Sequence, residues 1–221
     1  MSMVYQGDAS ARWGYNLTSC SIAKNVVSAK NLAVAGFWTG SIGSIAGLAA
    51  TFGGVPMTQV ESVADPDGAH SVCWILTNPP IGTQIFRVGW TSSLNTGVLG
   101  LMVFENVDQA SPVLASDSLA GTDHGTDIAG ITLASDADGF LANMIGHGIG
   151  TGTNVVGAGQ TQRWGIDSTG GYAGYGSTEP GDGGNVAMTW TWAGGSPAPF
   201  AHVAMSLSFA TPTKARSAMF F

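Results

Sequence analysis

The sequence predicts an all-β protein, and three observations lead there. Of 221 residues, 33 are glycine and only 10% are charged, while 44% are hydrophobic and the mean hydropathy is +0.22. Too few Glu, Lys and Arg remain to clothe exposed helix faces, and glycine is costly inside helices. Short apolar stretches alternate with polar residues at period two, and clusters of turn-forming residues separate them at short intervals. At 22.4 kDa the chain suits one sandwich or barrel and has ample apolar material for a core.

The predicted strands run in order over residues 31–39, 45–52, 55–62, 70–77, 83–92, 97–107, 127–133, 140–146, 185–192 and 201–209. Residues 31–59 carry no charge, which raises a membrane span, but Gly, Ser and Thr interrupt the stretch throughout. The pair Gly53-Gly54 followed by Val55, Met57 and Gln59 reads instead as a hairpin between two buried strands. Alternation is clearest where Val186, Met188, Trp190 and Trp192 share a face, and again at Val203, Met205, Leu207 and Phe209. The turns fall at Asp65-Pro66-Asp67-Gly68, Asn78-Pro79-Pro80-Ile81-Gly82, Asp136-Ala137-Asp138-Gly139 and Glu179-Pro180-Gly181-Asp182-Gly183-Gly184. Residues 147–184 read as a long Gly-rich loop, and no internal repeat of fixed period is visible.

Net charge is -7, unevenly spread. Residues 46–182 hold thirteen acids against two bases, or -11, whereas each flanking segment comes to +2. Such an acidic body repels phosphate and argues against nucleic-acid binding. Cys20 and Cys73 are too few for a disulfide framework; they read as two reduced core residues, with one bridge left open. The opening residues show no basic segment leading into an apolar run, so no secretory signal is expected.

The stretches 51–58 (TFGGVPMT), 74–84 (WILTNPPIGTQ), 103–112 (VFENVDQASP) and 157–164 (GAGQTQRW), with the late Trp190-Thr191-Trp192 strand, resemble a group of β-sandwich proteins. That group occurs among tailed-phage virion proteins and microbial surface proteins. The resemblance spans roughly residues 30–210 and implies one jelly-roll-like β-sandwich over 31–210. An N-terminal arm over 1–30 and a C-terminal docking tail over 211–221 would then extend from it. Because one fold hosts many functions, sites must supply the activity.

Enzyme signatures are scarce: no P-loop, nucleophile elbow or H-E-x-x-H occurs, and His70, His124, His147 and His202 lack ligand-spaced histidine partners. Asp123/Asp127 and Asp136/Asp138 are incomplete as cation loops and read first as turn residues. No catalytic residue, cofactor or metal is therefore expected. Trp164, Tyr172 and Tyr175, with Arg163, could form a sugar-stacking loop, or the rings could pack inward. The tail carries Lys214 and Arg216 ahead of Met219, Phe220 and Phe221, an apolar end that a neighbour could bury. The expectation is a virion structural protein made in the host cytoplasm: a capsid decoration or cement protein contacting the major capsid protein and copies of itself. A glycan-binding host-attachment module is the alternative, with the Trp164 loop as its site.

Overall fold

The computed structural model describes residues 2–14, 17–27, 29–40, 45, 47–94, 96–123, 128–148, 153–167, 172–193 and 198–210. Strands make up 74% of the structure, and no helix occurs among the described residues. The first nine strands are β1 (Val4–Trp13), β2 (Leu17–Val26), β3 (Ala33–Gly40), β4 (Ala49–Phe52), β5 (Val55–Pro56), β6 (Thr58–Ala64), β7 (His70–Thr77), β8 (Gly82–Leu94) and β9 (Gly97–Glu105). Eight follow: β10 (Val113–Asp123), β11 (Ile128–Ala134), β12 (Phe140–Gly148), β13 (Thr153–Val156), β14 (Thr161–Ile166), β15 (Tyr172–Pro180), β16 (Asn185–Ala193) and β17 (Ala198–Leu207).

All pairings are antiparallel and form four sheets. In the first half, an inner sheet β1-β9-β3-β7-β6 lies against an outer sheet β2-β8-β4-β5; in the second, β10-β17-β12-β15-β14 lies against β11-β16-β13. Trp13, Trp38, Trp74, Leu99 and Leu101 of the first inner sheet meet Ile22, Phe52, Phe86, Val88 and Trp90 of its outer sheet. On its other face Phe37, Val98, Met102 and Phe104 meet Met144, Trp164, Val203 and Met205 of the second inner sheet. That sheet in turn covers Trp190, Trp192, Ile131 and Met188 of the last one. Four layers result, and both faces of each inner sheet are covered.

The two halves repeat one another. Replacing β1–β4 by β10–β13 and β6–β9 by β14–β17 converts the first pair of sheet orders into the second, apart from β5, which has no counterpart among the described residues. Registers agree as well: adding 103 carries β6, β7 and β9 onto β14, β15 and β17, and adding 107 carries β3 onto β12. The β1 bulge between Tyr5 and Gly7 recurs in β10 between Val113 and Ala115, and the β6 bulge after Gln59 recurs in β14 after Gln162. Loop hydrogen bonds repeat too: Gly53 N–H to Ile85 O matches Gly157 N–H to Thr189 O, both 2.9 Å, and Asn78 N–H to Leu32 O matches Gly181 N–H to Gly139 O, both 3.0 Å. The seam is correspondingly two-fold: β3 faces β12, β9 faces β15 as β7 faces β17, and β6 meets β10 as β14 meets β1.

Several expectations change. The segment 1–30, expected as an arm, is woven into the fold, because β1 pairs with β9 and β2 with β8. The single sandwich over 31–210 is replaced by two stacked sandwiches, which the absence of a sequence repeat concealed. The loop over 147–184 contains β13, β14 and β15. β17 is buried along both faces rather than one. In contrast, β16 alternates as its sequence predicts, β7 spans His70–Thr77 as expected, and β4–β5 forms the hairpin at Gly53-Gly54, both in the left-handed region at φ 56° and 80°. No helix among the described residues is long and apolar enough to cross a membrane.

Candidate functional site

The chain enters and leaves the slab at one place. Asn106, held at φ 60°, donates its side-chain amide to Ser2 O at 2.9 Å and accepts Ala210 N–H at 2.8 Å on its carbonyl. Its own N–H binds Lys30 O, Val107 N–H binds Asn31 O, and Val107 bridges Phe209. The link between the halves closes the same knot through Asp108 N–H to Ser208 O and Ser208 N–H to Pro112 O, both 2.9 Å. Residues 211–221, including Lys214, Arg216, Met219, Phe220 and Phe221, lie outside the described residues, and the chain reaches them from this corner.

The expected sugar-stacking loop does not form a platform. Trp164 is 6% exposed and Tyr175 4%, while Tyr172 is fully buried. Trp164 lies against Phe37 with ring centroids 6.0 Å apart, and Tyr172 hydrogen-bonds Thr39 Oγ1 across the seam at 2.9 Å. Tyr175 stacks on His147 and donates its hydroxyl to Asp167. Arg163 donates to Thr178 Oγ1 at 2.7 Å and places its guanidinium 3.9 Å from the Tyr5 ring centroid, tying β14 to β1. All four residues hold the slab together. Glycine-rich composition suggested a loop because Gly174 and Gly176 occupy a strand whose seam face has no room for side chains.

A pair the sequence reading missed lies at the edge of the first inner sheet. The Asp65-Pro66-Asp67-Gly68 turn folds β6 onto β7, pairing Ala64 with His70 and placing Ser62 diagonally opposite His70 on the same face. His70 Nε2 is 3.0 Å from Ser62 Oγ, and Ile45 N–H donates to Nδ1 at 3.3 Å. The backbone donor fixes the tautomer: Nδ1 accepts, so Nε2 carries the proton and donates to Ser62. A base activating serine must instead accept at that nitrogen, so this arrangement orients the hydroxyl without abstracting its proton. Burial lowers the His70 pKa to about 4 and keeps the ring neutral. Recognising the turn and alternating on either side of it would have brought these residues together.

The second sandwich buries a polar chain where the first is apolar. Asn143 Oδ1 accepts Ser177 N–H at 3.1 Å and Ser177 Oγ at 2.7 Å, leaving its amide nitrogen 3.1 Å from His202 Nε2. Gln160 extends the chain, donating to Ser177 Oγ at 2.7 Å and accepting Thr189 N–H at 2.6 Å. His202 is fully buried, its Nδ1 has no partner, and burial lowers its pKa to about 3. The corresponding residues of the first half are Gly36, Trp74 and Leu99.

The Asp136/Asp138 turn closes onto the chain's two outer segments. Asp136 accepts Phe209 N–H at 3.0 Å and Gly139 N–H on its carbonyl, and Asp138 O accepts Met3 N–H. Residues 124–127 lie outside the described residues, and among those described no three His, Cys, Asp or Glu gather as metal ligands. Cys20 and Cys73 are free thiols in different cores, their pKa values raised by burial. Compared with protein-family models, curated proteins and solved structures, the chain matches none.

Proposed function

We propose that this protein is a structural subunit of a tailed-phage virion, placed on the capsid exterior as a decoration or cement protein that grips its neighbours through the C-terminal tail. The observation that carries this reading is the strand order. In the first half β1-β9-β3-β7 opposes β2-β8-β4-β5, an order we read as that of an eight-stranded jelly roll, an architecture used in capsid shells and lectins. The second half repeats the order without a counterpart of β5 among the described residues and packs onto the first across the two inner sheets. The outer strands β2, β8, β11 and β16 turn many Ser, Thr, Ala and Gly residues outward, which suits a building block. The acidic body would face solvent, and the apolar tail, leaving beside Asn106, would be buried by a neighbouring subunit.

Burying Met219, Phe220 and Phe221 contributes about 1.5–3 kcal/mol per fully buried side chain before the cost of ordering the segment. Deleting residues 211–221 is therefore expected to leave the melting temperature nearly unchanged and to reduce strongly the incorporation into particles or the self-association of the chain, read by sedimentation. Raised salt should weaken wild-type assembly only modestly, since the bases orient while the apolar residues hold. Wild-type occupancy by the truncated chain would overturn the reading, and loss of the folded state would assign the tail to the protein's own core.

A further inference from the structure

The two halves differ beside β6 and β7, where the first one has a pocket. Gln59, Ser62, Ala64, His70 and Val72 correspond to Gln162, Gly165, Asp167, Ala173 and Tyr175. In the second half the Tyr175 ring lies over Gly165, where a Cβ would sit 2.8 Å from Cδ1, and its hydroxyl reaches Asp167. In the first half the position of that tyrosine is held by Val72, which is drawn into the tryptophan core. His70 and Trp38 stand there in place of Ala173 and Ile145, ring against ring at 5.5 Å, and beside them lies a cavity of about 340 Å³ lined by Gln59, Ser62, Ala64 and His70 of β6 and β7 and by Ile45, Gly47 and Leu48.

We propose that this cavity binds the ring of a neutral hexopyranose. Its volume falls within the range of ligand pockets, about 300–1,000 Å³. No lining side chain carries a formal charge when His70 is neutral, which disfavours an ionic ligand. The lining is mostly polar and offers hydrogen-bonding groups of both kinds: the Gln59 amide, and a Ser62 hydroxyl that, having accepted from His70, keeps its own proton to donate. A ring hydroxylated along its rim fits the polar lining better than a bare aromatic does. The proposal is independent of the docking tail, and it places any glycan contact on β6 and β7 rather than on β14 and β15.

The test is saturation-transfer NMR on the full chain with the methyl glycosides of glucose, galactose, mannose and N-acetylglucosamine at millimolar concentration, with phenol as the aromatic control. Transfer to at least one glycoside is expected. Val72→Tyr, which installs the ring the second half carries, should abolish it. Gln59→Ala with Ser62→Ala, two exposed positions that leave the core intact, should weaken binding about tenfold through loss of two neutral hydrogen bonds. If Val72→Tyr fails to fold, the double variant decides. Absence of transfer to every glycoside, transfer to phenol alone, or transfer undiminished in the folded variants would each overturn the proposal.

Discussion

Trp164→Ala is expected to cost about 3–5 kcal/mol of folding stability, the range for removing a large aromatic from a packed core. The indole sits in the seam between the inner sheets, cradled by Gly100 of β9 and Gly176 of β15; a Cβ at either glycine would collide with it. Truncation empties a slot whose walls are two hydrogen-bonded sheets, so little collapse can refill it. Denaturant unfolding should show a lower midpoint with an unchanged slope. A tryptophan exposed for stacking on sugars would cost under about 0.5 kcal/mol, so the measurement separates the two roles. Gly100→Ala tests the same slot from its other wall and should cost about 1–3 kcal/mol by overpacking. The equivalent of Trp164 in the first half is Glu61, which accepts from Ser116 and Ser118 of β10. The seam is therefore two-fold in its backbone and asymmetric in its chemistry: an indole and a cation–ring contact on the β14 side, carboxylate–hydroxyl hydrogen bonds where β6 meets β10.

What the sequence made legible follows from how many faces each strand buries. β16 has one face against the core and one toward solvent, so Val186, Met188, Trp190 and Trp192 alternate cleanly with polar residues and the strand reads directly. β15 has both faces covered, but its seam face must clear Trp164 and Val98, so Gly174 and Gly176 stand where a buried strand ordinarily carries Val or Ile. Its composition is then that of a loop. β1 closes the edge of an inner sheet under partial cover on both sides, and its Asp8, Ser10 and Arg12 gave no periodic signal. The duplication was invisible because register and bulges persist while side chains have diverged: of the positions aligned between β3 and β12, only Ala35 and Ala142 are identical. The Ser62–His70 pair required knowing which strands flank the Asp-Pro-Asp-Gly turn.

Divergence between the halves also sets the expected pH response. Ser177 N–H is an unambiguous donor, so Asn143 Oδ1 accepts and the amide nitrogen donates to His202 Nε2. His202 must then carry its proton on Nδ1, the atom without a partner. Charging the ring would add a second donor facing the Asn143 amide inside a dry core, and its pKa falls from 6.5 to about 3. The lowered folded value means the unfolded chain binds the proton first. The histidine's contribution is thus fully present above about pH 6.5 and is lost progressively as pH drops toward 3. Between pH 7 and pH 5 the loss comes to about 2 kcal/mol, at about 1.4 kcal/mol per pH unit below 6.5. His70 adds to the loss in the same direction. His202→Leu, which restores the residue found at the equivalent Leu99, should shrink the difference in unfolding free energy between these two pH values by about 2 kcal/mol. Asp117, His147, Tyr175 and Glu179, which share that face of the sheet, are common to both proteins and cancel in the comparison. An unchanged difference would show that the buried ring takes up its proton without opening the second sandwich, and would remove the assigned tautomer with it.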